Sequence, residues 1–140
     1  MSWTRALARL SILRFAVIGA LGMPVDAGVL WLMTHRFGFD PYSGRIVSWT
    51  CAATFTWTGN RYFTFHATRA RGIAGIAKEW LRFLAANAVG GLVNVGLYST
   101  LVRFAPPPVN NLYVALVLGV LAGLVFNFTL SKKLVFKGPL

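Results

Sequence analysis

Acidic residues are almost missing from this chain. Of 140 residues only three are acidic, Asp26, Asp40 and Glu79, against 14 lysines and arginines. No two of the three share a spacing that makes a close carboxylate pair, so two-carboxylate hydrolysis has no candidate residues. Cysteine occurs once, as Cys51, which excludes an intramolecular disulfide. Within an apolar run it reads as a packing residue. The two histidines, His35 and His66, fall in connections on opposite sides of a membrane and cannot share a metal. No glycine-rich phosphate loop and no nucleophile motif appears. These absences argue against an enzyme, a metal centre or a bound cofactor.

Charge of either sign is scarce as well. Charged residues make up 12% of the chain and hydrophobic residues 56%, whereas an ordinary soluble domain carries about 25% charged residues. A helix crosses a bilayer with roughly 20 apolar residues. The windows 83–102 and 112–131 have no charge, and the window 15–34 has one, Asp26. The window 46–60 is shorter, so its helix must extend through Ser43 or Arg45 on one side and towards 62–65 on the other. An arginine at a helix end can reach the headgroups and makes that extension tolerable. The reading is an all-α membrane protein with four transmembrane helices, at about 14–34, 44–64, 79–103 and 111–133. Residues 1–13 alternate basic and apolar groups and should lie in the interface before the first crossing. The basic start resembles a signal peptide, but the apolar run is too long for one. Pro24 should weaken or kink the first helix beside Asp26. The longest connection, 66–78, should lie on the membrane surface.

Four crossings put both termini on one side. Eleven of the 14 cations fall on that side, including Arg14, Arg61, Arg82 and Lys132, and three on the other, Arg36, Arg45 and Arg103. The positive-inside rule then makes both termini and the 66–78 connection cytoplasmic. Topology accounts for the net charge of +11, and nucleic acid is not an expected partner.

The chain also repeats itself. Residues 14–30 and 82–98 share 6 of 17 positions, with Arg14 opposite Arg82 and Asp26 opposite Asn94. Residues 55–65 lie over 126–136 with three identities, placing Arg61 opposite Lys132 and Trp57 opposite Phe128. One transmembrane domain over 1–140 thus divides into repeats at about 14–65 and 82–136. Duplicated helix pairs commonly build a transport site between the repeats. Small and polar residues recur on one face of every helix: Gly19, Gly22 and Asp26; Ser48, Ala52, Thr56 and Asn60; Asn87, Gly90, Gly91 and Asn94; Gly119, Gly123, Asn127 and Ser131. In lipid such stripes turn inward, where small residues let helices approach and polar ones avoid the tails. Gly119 and Gly123 read first as packing contacts.

Asp26 is the sole acidic group inside a span. A carboxylate at the bilayer centre costs about 2.5–3.5 kcal/mol on insertion scales, so it must be protonated, paired or wet. Counting along the helices, no lysine or arginine falls at its depth. Protonation, or pairing through water or across an oligomer, is expected over a simple intrahelical pair; Asp26 then reads either as a protonated acid hydrogen-bonded to Asn94 or as a head-group or proton site.

With those residues in hand, the chain resembles the GtrA-like family of small four-helix bacterial inner-membrane proteins. The resemblance covers about 14–136. It rests on Arg14-Phe15, Gly19, Gly22 and Asp26, on Asn60-Arg61-Tyr62-Phe63-Thr64-Phe65, and on Phe126-Asn127-Phe128, Ser131-Lys132-Lys133 and Val135-Phe136. One departure is Thr56, where the family often has an asparagine. The resemblance implies translocation of polyprenyl-phosphate-linked sugars across the cytoplasmic membrane for surface polysaccharides. Asp26, Asn87, Asn94 and Asn127 would meet sugar hydroxyls. Arg14, Arg82, Arg61 and Lys132 would meet the phosphate, and membrane lipid would take the tail. Four helices are few for a closed polar path, so a homo-oligomer is expected. Two other classes share some features. A scaffold recruiting a membrane glycosyltransferase would need no midplane acid. A proton-coupled multidrug exporter would carry glutamate in the first helix and lack the Asn-Arg-aromatic motif.

Overall fold

A computed structural model describes residues 3–136, and every described element is helical. Helix α1 runs Trp3–His35 and α2 runs Pro41–Gly59, closed by a π turn over Asn60–Thr64. Helix α3 runs Ile73–Phe104 and α4 runs Leu112–Leu130, closed by a second π turn over Ser131–Val135. Three segments are long and apolar enough to cross a membrane: Arg9–His35, Ile73–Phe104 and Leu112–Val135. The chain is therefore a multi-pass membrane protein. Large apolar side chains such as Leu21, Trp31, Leu92 and Val117 stand exposed on its outside, as a lipid-facing surface requires.

Helix α2 is the least apolar of the four because it is rich in hydroxyls. Those hydroxyls turn back onto their own helix. Thr50 donates to the Ile46 carbonyl at 2.8 Å, Thr54 to Thr50 at 2.7 Å and Thr58 to Thr54 at 2.8 Å. Internal bonding of this kind conceals polarity that lipid cannot satisfy.

Several boundaries differ from those expected. Helix α1 begins at Trp3 and passes both Arg14 and Pro24 without a break, so the described part of 1–13 is not a separate interfacial segment; residues 1–2 lie outside the described residues. Helix α3 begins at Ile73, six residues before the expected start, and takes up half of the 66–78 connection. Helix α2 begins at Pro41, where proline suits the first helical turn and Asp40 caps it. The Asp40 carboxylate accepts from the backbone of Tyr42 at 3.0 Å and Ser43 at 3.1 Å. Asn111 caps α4 in the same way, accepting from Tyr113 at 3.0 Å and Val114 at 3.4 Å. Hydrogen bonding by the Ser43 side chain, then by its backbone, holds the Asp40 carboxyl below its ordinary value. This cap therefore acts above the ordinary carboxylate range and weakens as pH falls through the lowered pKa.

Helices α1 and α2 form one hairpin, and α3 and α4 form another. The glycines set how closely each closes. A Cβ on Gly22 would come 2.5 Å from Thr56 Cγ2, and one on Gly59 would come 2.8 Å from Ile18. In the other hairpin, a Cβ on Gly119 would meet the Asn94 carbonyl at 2.8 Å and one on Gly123 the Gly90 carbonyl at 2.9 Å. Gly119 and Gly123 are packing contacts, as expected.

The hairpins lock at the end of the bundle nearest the termini. Phe15, Phe65, Phe83 and Phe136 are all buried there. Phe65 stacks on Phe136 with centroids 4.5 Å apart; Phe15 meets Phe65 edge-on at 6.2 Å and Phe83 meets Phe136 edge-on at 6.3 Å. Both geometries are favourable for aromatic rings.

Gly123→Ala should destabilise the protein by about 1–3 kcal/mol, because its methyl meets backbone rather than a movable side chain. Gly28→Ala, which meets nothing within 4 Å, should be silent. Thermal unfolding in detergent compares them, and equal melting of both variants would refute the close-contact account.

Candidate functional site

A cavity of about 510 Å³ lies between the hairpins and is lined by all four helices. Phe15 and Phe83, from the aromatic cluster, form part of its wall. Farther along the bundle the wall continues through Gly19, Gly22 and Asp26 of α1 and Trp49, Ala52 and Thr56 of α2. Asn87, Gly90 and Asn94 of α3 and Gly123 and Asn127 of α4 complete it, with Asn60 from the first π turn. This volume falls within the range of small-molecule sites, roughly 300–1,000 Å³.

Three buried side-chain polar atoms among the described residues have no hydrogen-bond partner: Asp26 Oδ1, Asn60 Nδ2 and Asn127 Oδ1. All three residues line this cavity. An unsatisfied buried polar group costs about 1–3 kcal/mol. Three such costs in one place mark a site arranged for something other than stability. Asn60 is 1% exposed, and its own oxygen is occupied by the Thr64 hydroxyl at 2.8 Å. Only its amide protons are left for the cavity. The Asn127 amide rests against Gly90, where a Cβ would come within 1.9 Å of Oδ1. Glycine at 90 is therefore what makes room for Asn127. Pro24, lacking an N–H, cannot donate to the carbonyl of Ala20, another cavity residue.

Asp26 departs from expectation. Its Oδ2 is ion-paired to Nη1 of Arg45, rather than hydrogen-bonded to Asn94 as a neutral acid. The reason lies in the start of α2. Because the helix begins at Pro41, Arg45 sits a full turn inside it and reaches the carboxylate across the hairpin. The pair is partly exposed, with Arg45 at 55% and Asp26 at 23%.

A second ion pair closes the other end. Arg61 Nη1 lies 2.5 Å from Glu79 Oε1, and both side chains are buried. Trp57 donates to the same oxygen at 3.1 Å, while the Ala70 N–H donates to Glu79 Oε2 at 2.5 Å. The second guanidinium nitrogen of Arg61 donates to the Ala70 carbonyl at 2.6 Å. Arg61 thus ties the first π turn, the 65–72 connection and α3 into one network.

The family model described as GtrA/DPMS, transmembrane domain, matches residues 14–136. The chain belongs to this family. No curated protein matches the chain. The GtrA/DPMS match takes in α1 from Arg14 onward, the other three helices, both π turns and every residue of the cavity wall.

Of the site residues expected in this GtrA/DPMS chain, Asp26, Asn87, Asn94 and Asn127 come together in the cavity. The four cations do not line it. Arg14 is exposed beside Phe15 and donates to the Phe63 carbonyl at 3.3 Å. Arg82 is exposed beside Phe83, and Lys132 is half-buried in the second π turn. Arg61 is corrected from a free interfacial cation to a buried one, since its donors are committed to Glu79 and Ala70. Asn60, Arg45 and Glu79 were absent from the expected site. Asn60 stood on the polar stripe of α2, and that was the available signal. Glu79 gave none while the helix was placed to begin at it.

Glu79→Ala leaves the Arg61 guanidinium buried without its carboxylate, a loss of about 3–5 kcal/mol for a pair of this kind. The expected result is a lower melting temperature in detergent and poor recovery of folded protein. Unaltered melting would show that the network does not hold the connection to the bundle.

Proposed function

We propose that this protein moves the glycosyl head group of a polyprenyl-phosphate-linked sugar across the bacterial cytoplasmic membrane. One observation carries the reading: three unpartnered buried polar atoms belong to one intramembrane cavity. A sugar is dense in hydroxyls, each able to donate and accept, so it can satisfy the Asn60 amide and the Asp26 and Asn127 oxygens together. The polyprenyl tail is soluble in lipid and needs no cavity. Membership of the GtrA/DPMS family supports the polyprenyl-phosphate context.

The topology of the proposal has both termini cytoplasmic, from the excess of eleven cations over three. All four helices cross, α2 with the help of its self-bonded hydroxyls. Arg14, Arg82 and Lys132 then lie towards the cytoplasmic end and outside the cavity wall, where they receive the phosphate through charge-assisted contacts. The stack of Phe65 on Phe136 separates the cytoplasmic end from the cavity and opens for the head group to pass. The two hairpins act as repeats. Several features recur at an offset of 71: caps at Asp40 and Asn111, π turns starting at Asn60 and Ser131, and closing bonds from Phe65 and Phe136. The protein has no catalytic step in this account. A homo-oligomer and a membrane glycosyltransferase that makes the lipid-linked sugar are the partners it implies.

In proteoliposomes with a fluorescent polyprenyl-phosphate glucose, Asp26→Ala and Asn60→Ala should each cut the translocation rate at least tenfold while the protein stays inserted and folded. Wild-type rates in both would refute the cavity as the transport site. A reporter fused after Leu140 should be active only in the cytoplasm, and periplasmic activity would overturn the orientation.

A further inference from the structure

We propose that the cavity is a charge filter: it accepts uncharged glycosyl groups and excludes sugars bearing their own anionic substituent, such as uronic acids or sugar phosphates. This rests on the lipid-sugar reading above and adds the class of sugar. The wall contains no lysine, arginine or histidine, and Asp26 is its one ionisable carboxylate. That carboxylate is ion-paired directly to Arg45. Arg45 binds Oδ2 and is not part of the wall, whereas Oδ1 is buried, unpartnered and belongs to a cavity residue. The remaining unpaired atoms are a neutral amide donor on Asn60 and a neutral amide oxygen on Asn127.

The hydroxyls of a neutral sugar can donate to Asp26 Oδ1 and to Asn127 Oδ1 and accept from Asn60 Nδ2. A carboxylate or phosphate on the sugar is an acceptor only. It could use the Asn60 amide, but placed at either buried oxygen it supplies no donor where the hydroxyl it replaces would. It also brings a negative charge to the Asp26 oxygen that Arg45 does not bind. Arg14, Arg82 and Lys132, the cations expected to meet phosphate, all stand outside the wall. The sugar's own linkage phosphate avoids this conflict because it need not enter the cavity.

The test compares two probes that differ at one carbon: the farnesyl phosphodiesters of glucose and of glucuronic acid. Each is titrated into the full-length protein in detergent, with affinity read by calorimetry. The glucosyl lipid should bind at least tenfold more tightly than the glucuronosyl lipid. In Asp26→Asn, which keeps an amide where the other hairpin has Asn94, that ratio should fall at least threefold. Glucuronosyl affinity equal to or above glucosyl affinity in the wild-type protein would overturn the filter and leave the lipid-sugar reading standing. A ratio unchanged in folded Asp26→Asn would also overturn it, since the discrimination would then come from another group. Failure of both lipids to bind the wild-type protein would overturn the lipid-sugar reading itself, and the filter with it.

Discussion

A polar group inside a bilayer has no water to fall back on, so it must find its partner in the protein. This constraint sorts the polar residues of the chain into two groups. The threonines of α2 bond to their own helix, Arg61 and Glu79 bond to each other and to Ala70, and Asp40 and Asn111 cap helix starts. These groups stabilise the bundle. The other group is left incomplete at Asp26, Asn60 and Asn127, and its members share a single cavity. The contrast matters more than either group alone. A bundle that satisfies a demanding residue such as buried Arg61 with several partners has the means to satisfy an asparagine.

The glycines connect this sorting to packing. Within a membrane there is little hydrophobic drive between helices, and association depends on close contact. Gly119 and Gly123 bring α4 onto the backbone of α3 at Gly90 and Asn94. That contact holds Asn94 at the cavity wall. Gly90 then leaves space for the Asn127 amide and no space for a methyl group. Packing the helices and shaping the cavity are therefore not alternative roles for these residues. The close contacts hold the cavity open by fixing which side chains can border it.

Much of this was legible from sequence because two signals are strong in membrane proteins: long apolar windows and small residues at four-residue spacing. The inward stripe led directly to Asp26, Asn87, Asn94 and Asn127. Misreadings followed from helix ends. Placing the start of α2 at about 44 put Arg45 at the membrane edge, whereas a start at Pro41 carries it one turn inward to Asp26. Placing the start of α3 at 79 left Glu79 in the interface, whereas a start at Ile73 puts it well inside the helix, facing Arg61. A shift of one or two turns changes the partner of every charged residue near a helix end. The π turns gave no sequence signal, since a single widened turn is too short to disturb the helical spacing around it. Asn60 was consequently seen as one more stripe residue rather than the donor whose oxygen is already taken by Thr64.

The two hairpins differ most where charge is involved. Their aromatic contacts match closely: Phe15 on Phe65 at 6.2 Å, Phe83 on Phe136 at 6.3 Å. At the cavity, however, the ion pair of Asp26 and Arg45 has Asn94 and Leu116 at the corresponding places of the second hairpin. Likewise Arg61, held by Glu79, corresponds to the less buried Lys132. Both ion pairs thus belong to the hairpin of α1 and α2 or to its junction with α3. A site built from two equal halves would offer a sugar the same donors and acceptors on both sides. Placing the one carboxylate on one side gives the cavity a polarity that two equal halves would lack.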